Sequence, residues 1–78
     1  MEFRVNLNEI EKVHRFAKLS EQYEADIIVK SIDRKYQIDG SSLMGLFNLD
    51  LSKSVIVSVE DEEIGEALKK EVADCAVK

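Results

Sequence analysis

Apolar and polar residues alternate in the first segment of the chain, EFRVNL, where Phe3, Val5 and Leu7 are separated by polar residues. A period of two is typical of a β-strand with one buried face. From residue 8 the period lengthens to that of an α-helix. The apolar side of this predicted helix carries Ile10, Val13, Phe16, Ala17, Ser20 and Tyr23. Its polar side carries Glu11, Arg15, Lys18 and Gln22.

The middle of the chain predicts two antiparallel strands, ADIIVKS and RKYQI, joined through residues 31–34 by a turn without an Asn-Gly signal. A fourth strand is predicted in KSVIVSVE, and a last amphipathic helix follows Asp61. The residues expected to face the core in these strands are Ala25, Ile27, Val29, Tyr36, Ile38, Val55, Val57 and Val59. Those expected on the buried side of the last helix are Ile64, Ala67, Leu68, Val72, Cys75 and Ala76.

Between the third and fourth strands, the segment DGSSLMGLFNLDL predicts a short helix. Leu46 and Leu49 are expected to face the core, and Leu43, Met44 and Phe47 share the other side by helical spacing. The element order is then βαββαβα. Strands with one apolar face and helices with one apolar stripe favour an α+β fold, an open-faced two-layer sandwich with a four-stranded antiparallel sheet covered on one side by helices. We expect residues 1–78 to form a single domain.

The charge and composition of the chain argue against several classes of function. The chain carries 16 acidic and 11 basic residues, a net charge of −5, which argues against nucleic acid and anionic membranes as partners. The start MEFRVNL lacks the basic and apolar regions of a secretory signal, so a cytoplasmic location is expected. One cysteine and one histidine predict no disulfide, no metal site and no cofactor, and Cys75 is expected to be a small buried residue. The acidic run at 60–63 is expected to open the last helix rather than to supply an acid–base pair.

The predicted topology, the length and the string SSLMGLFNL together resemble HPr, the histidine-containing phosphocarrier of the bacterial sugar phosphotransferase system. YEAD at 23–26 and SVIVSVEDEEIGEAL before the last helix also look like that family, so the resemblance covers nearly the whole chain. It implies the HPr-like sandwich. It also implies that Ser42, at the position of a serine phosphorylated by a dedicated kinase in Gram-positive members, is a regulatory phosphorylation site.

In the family, the outward side of the short helix is the docking surface for enzymes and regulators, which implies a partner-binding patch of Leu43, Met44 and Phe47. Ser41 is expected to cap the helix, with Ser42 in its first turn, where free N–H groups favour a phosphate. The alternative is structural. A short helix can bury all five of its apolar residues to complete a small core, and a serine before a helix is most often only a cap.

The acceptor motif of the family, Gly-x-His-x-Arg-Pro, is missing between the first strand and the first helix. Counting back from Tyr23 places Glu9 at the position of the lost acceptor histidine, and counting forward from Phe3 gives a loop about three residues shorter; neither register brings His14 to it. Asn8 and Glu11 instead fit a capping box, and Glu9 and Glu11 place negative charge where a phosphate would sit.

The resulting expectation is a non-enzymatic HPr-like regulatory module, without phosphocarrier activity, that binds proteins and is gated by phosphate on Ser42. Its expected partners are phosphotransferase-system enzymes, a serine kinase or a transcriptional regulator, and a monomer is expected. The alternative is a divergent phosphocarrier that accepts phosphate on His14 or Glu9. His14 lies well inside the predicted helix, away from the free N–H groups of a helix terminus.

Overall fold

A computed structural model describes residues 1–77 of the chain. Its strands are β1 Glu2–Val5, β2 Ile27–Ser31, β3 Gln37–Asp39 and β4 Val55–Val59. Its helices are α1 Ile10–Gln22, α2 Leu43–Phe47 and α3 Glu62–Glu71, and a single 3₁₀ turn, Ala73–Cys75, follows α3. The order βαββαβα is therefore the predicted one.

The four strands form one sheet in the order β1-β4-β2-β3, and every neighbouring pair is antiparallel. In β4, Val57 pairs with Phe3 on one side and with Val29 on the other. Because side chains alternate across a sheet, this register puts the valines of β4, the apolar residues of β1, and Ile27 and Val29 of β2 on the same face. The predicted sheet, open on one side and covered on the other, is confirmed.

One continuous core lies between that face and the helices. It includes Val13, Phe16 and Ala17 of α1, Leu46 of α2 and Leu68 of α3. Val72 and Cys75 complete it beyond α3, so the expectation that Cys75 is a buried apolar residue is confirmed. The polar side predicted for α1 is exposed throughout.

The opposite face of the sheet carries charge around an apolar centre. Ile56 is buried there between the paired residues Arg4 and Lys30. The Glu2 carboxylate accepts hydrogen bonds from both Nη atoms of Arg34, at 2.8 and 3.1 Å, and from Lys30 Nζ at 3.2 Å. Chiefly through Arg34, these bonds lower the pKa of Glu2 from its ordinary value of 4.5 to about 2. The cluster ties the β2–β3 turn to β1.

Three residues predicted to face the core do not. Ile10 is 67% exposed, because it begins α1 at the margin of the helical layer. Tyr36 is 66% exposed, because β3 begins one residue later and Tyr36 belongs to the turn, whose Arg34 adopts a left-handed φ of 62°. Ala76 is exposed, because α3 ends at Glu71 and the chain turns to form a bridge with Val5.

Candidate functional site

The start of α2 is built by Ser42 rather than by Ser41. The helix begins at Leu43, and the Ser42 hydroxyl accepts a hydrogen bond from the backbone N–H of Gly45 at 3.2 Å. The prediction that Ser41 is the cap is therefore wrong, since the helix begins one residue later than a Ser41 cap would require. Ser41 instead donates through its N–H and its hydroxyl to Asp39, at 2.8 and 2.6 Å, and mainly its hydroxyl lowers the pKa of that carboxyl.

The sides of α2 differ in burial as predicted for most of its residues. Leu46 is fully buried in the core, and Leu49 is half-buried against it. Met44 is 81% exposed and Phe47 is 46% exposed, whereas Leu43 is half-buried and packs partly against the core. We call Leu43, Met44 and Phe47 the α2 patch. It is an apolar surface, and Met44 is its most exposed residue.

The start of α1 lacks the capping box predicted for Asn8 and Glu11. The N-cap residue is Glu9, and its side chain makes no capping hydrogen bond. Asn8 lies one residue too early to cap, and its Oδ1 accepts a bond from Lys12 Nζ at 3.5 Å. The position three residues after the N-cap is Lys12, which cannot accept a backbone N–H in return. The prediction of a capping box is therefore wrong.

A groove of about 520 Å³ separates the start of α1 from the end of α2. We call it the α1–α2 groove. Its lining residues come from the β1–α1 connection, from α1, from the end of α2 and from the segment that follows α2: Leu7, Asn8, Glu9, Ile10, Val13, Phe47, Leu51 and Ser52. The lining thus includes both Glu9, the position assigned to the lost acceptor histidine, and Phe47 of the α2 patch.

Ile10 and Leu51 are groove residues that sequence reasoning missed. The helical period assigned Ile10 to the core, because periodicity identifies the side of a helix but not where the covering layer stops. An apolar residue at the first position of a helix, directly after a short connection, is the signal that could have indicated that Ile10 is exposed.

His14 lies on the exposed side of α1, beside the α2 patch. Its ring meets the ring of Phe47 edge-on, with centroids 6.2 Å apart and an interplanar angle of 67°. It also borders a smaller depression that Ser41 and Leu43 line from the other side. The structure therefore brings His14 next to the patch and to the start of α2, which helical spacing alone did not indicate.

Within residues 1–77, no group of three histidine, cysteine or carboxylate side chains is placed to hold a metal ion. None of the helices in those residues has the length and apolar character needed to cross a membrane.

Comparison with known proteins bears on the fold. No protein-family model matches the chain, and no curated protein matches its sequence. A solved structure, HPr-C-His from Thermoanaerobacter tengcongensis, superposes with a TM-score of 0.74 over 94% of this chain and 91% of its own, at 19% sequence identity. The chain has the HPr fold. The resemblance seen in the sequence is thus confirmed at the level of the fold.

Proposed function

We propose that this HPr-like protein is a non-catalytic regulatory module that binds a protein partner through the α2 patch. The observation that carries the proposal is the exposure of Met44 and Phe47 on a helix whose inner side is anchored by the fully buried Leu46. Large apolar side chains that a fold leaves in water beside polar neighbours are a recurrent feature of protein-binding surfaces. The partners we propose are enzymes of the phosphotransferase system, a serine kinase or a transcriptional regulator.

Loss of phosphocarrier activity is part of the same proposal. The connection between β1 and α1 spans residues 6–9 and presents Glu9, whose side chain is 65% exposed and lacks a capping bond. A carboxylate at this place repels a phosphoryl group. The free N–H groups in the first turn of α1, which could otherwise bind a phosphate, would therefore not receive one.

Phosphorylation of Ser42 would gate the patch. The Ser42 hydroxyl holds the first turn of α2 through Gly45 N, and the next residues are Leu43 and Met44 of the patch. A phosphate there would add about 1.5 to 2 negative charges directly beside an apolar docking surface. We therefore propose that the phosphorylated form loses or exchanges its partner.

The docking proposal is tested by changing the two exposed side chains of the patch. Met44→Asp combined with Phe47→Asp should abolish capture of purified phosphotransferase-system enzymes, the kinase or the regulator, whereas the far-ultraviolet circular dichroism and melting temperature stay close to those of the native chain. Ile32→Asp combined with Tyr36→Asp is the matched control, because these side chains are 38% and 66% exposed and lie in the β2–β3 turn. Equal loss in both variants, or no loss in the first, contradicts the proposal.

The phosphoryl chemistry is tested by intact mass spectrometry. One sample is incubated with phosphoenolpyruvate and the general phosphotransferase enzyme, and another with ATP and an HPr-type serine kinase. We expect a stable phosphate from ATP, lost in Ser42→Ala, and none from phosphoenolpyruvate. An acid-labile phosphate from phosphoenolpyruvate that disappears in His14→Ala or Glu9→Gln would instead establish a divergent phosphocarrier.

A further inference from the structure

The lining of the α1–α2 groove is mostly apolar and includes one charged residue. Five of its eight residues are apolar, and Asn8 and Ser52 are neutral. Glu9 is the single charged residue that lines it. A molecule bound in the groove would therefore contact apolar side chains, two neutral hydrogen-bonding side chains and one carboxylate.

The Glu9 carboxylate is available for a new partner. Its nearest cation is Lys12 Nζ at 3.9 Å, in a pair at i,i+3 spacing in which Glu9 is exposed and Lys12 is half-buried, and Lys12 also donates a hydrogen bond to Asn8. A surface pair with so long a separation contributes little to stability, so exchange for a better-placed cation costs little.

A second carboxylate, Asp50, does not line the groove but directly precedes the lining residues Leu51 and Ser52 in the chain. Asp50 accepts a hydrogen bond from the N–H of Ser52 at 3.1 Å, and chiefly the bond from the Ser52 hydroxyl lowers the pKa of Asp50. Its cation, Lys53, is 3.9 Å away on an exposed side chain. Glu9 thus supplies the one charge among the lining residues, and Asp50 lies next to them in the chain, whose net charge is −5.

We infer that the α1–α2 groove receives a partner-protein segment in which an apolar side chain stands next to a lysine or arginine. The apolar side chain packs against Ile10, Val13 and Phe47, and the cation pairs with Glu9. Phe47 belongs both to the groove and to the α2 patch, so the apolar surface is continuous, and an extended protein segment matches it better than a small molecule does. This inference rests on the proposed docking function and adds the position and the charge of the partner.

A random-sequence peptide library displayed on phage and selected on the native protein is the first test. The enriched peptides should combine apolar residues with adjacent lysine or arginine, and Ile10→Ser should no longer bind them. Ile10 is largely exposed, so this variant keeps its fold, which circular dichroism checks. Enriched peptides that are acidic or neutral, or the absence of any enrichment, would overturn the inference.

The charge assignment has a matched control on the same turn of helix. Glu9→Gln and Glu11→Gln remove the same charge from neighbouring exposed positions, but only Glu9 lines the groove. For an enriched peptide, Glu9→Gln should weaken binding about fivefold and flatten its salt dependence, whereas Glu11→Gln should change it little. Equal weakening by both would mean a general charge effect and would count against the groove.

The two proposals fail separately. If Met44→Asp alone abolishes capture of a partner that Ile10→Ser and Glu9→Gln bind normally, the α2 patch docks proteins and the groove inference is wrong. If Met44→Asp has no effect but Ile10→Ser and Glu9→Gln remove binding, the groove is the docking site and the patch proposal is wrong.

Discussion

Two regions of this protein expose large apolar side chains, and their surroundings differ. At the β2–β3 turn, Ile32 and Tyr36 border a depression that also contains the charged residues Asp33, Asp50 and Lys53. At α2, the exposed Phe47 borders a groove whose lining includes a single charged residue, Glu9.

The polar contacts around the two regions explain the difference. The turn is held by its own polar groups: the Ser31 hydroxyl donates to Asp33 at 2.6 Å and accepts from the N–H of Tyr36 at 3.1 Å. The conformation of the turn is thus fixed by polar contacts, and the exposure of Tyr36 is a by-product. At α2 the polar contacts lie at the helix start, whereas the apolar side chains continue into a groove. Exposure alone does not indicate a docking surface, and the docking proposal for α2 depends on the continuity of its exposed side chains with a largely apolar groove.

The largest expected effect separates the inner side of α2 from its outer side. Leu46→Ala should lower the free energy of unfolding by about 2–5 kcal/mol, because it leaves a cavity in a fully buried position. Met44→Ala should change it by less than about 0.5 kcal/mol. Urea denaturation of both variants makes the measurement. A comparable loss of unfolding free energy in Met44→Ala would show that the outer side of α2 contributes to stability. That result would contradict the contrast between the two regions.

A smaller effect is expected at the cap of α2. Ser42→Ala removes the acceptor for Gly45 N and should cost about 1 kcal/mol of stability. Ser41→Ala is the control, because its hydroxyl bonds to Asp39 in the exposed turn and caps no helix. Thermal unfolding of the two variants should therefore rank Ser42→Ala as the less stable. The reverse order would mean that the Asp39–Ser41 turn, rather than the cap, holds the patch in place.

The smallest effect concerns the Glu2 cluster that anchors the turn. The pKa of Glu2 is about 2 in the folded protein and 4.5 ordinarily, so its contribution to stability is present above pH 4.5 and is lost as the pH falls toward 2. Glu2→Gln should flatten the acid dependence of stability in that window. Urea unfolding at several pH values measures it, with Glu24→Gln as the exposed control. An unchanged pH profile would show that the turn is not anchored by charge.

Much of the fold could be predicted because burial in a small sandwich repeats with the period of each element. Alternation in β1 and β4 and the stripe of α1 identified most core residues, and Asp61 caps α3 through Ile64 N where the acidic run indicated a helix start. The errors lie at element ends. Ser42 rather than Ser41 caps α2. A one-residue shift at an end changes which side chain reaches a backbone N–H or the core, and periodicity does not resolve it.

By itself the sequence determined the element order, the apolar face of each element and the separation of Leu46 from Met44 and Phe47 on α2, because these follow from the spacing of residues along one helix or strand. Only the tertiary structure decided that Ile10 stays exposed, that Glu9 and Phe47 border one groove and that His14 meets Phe47. Those relations join residues of different elements. They depend on where one packed layer ends relative to another, which no local pattern encodes.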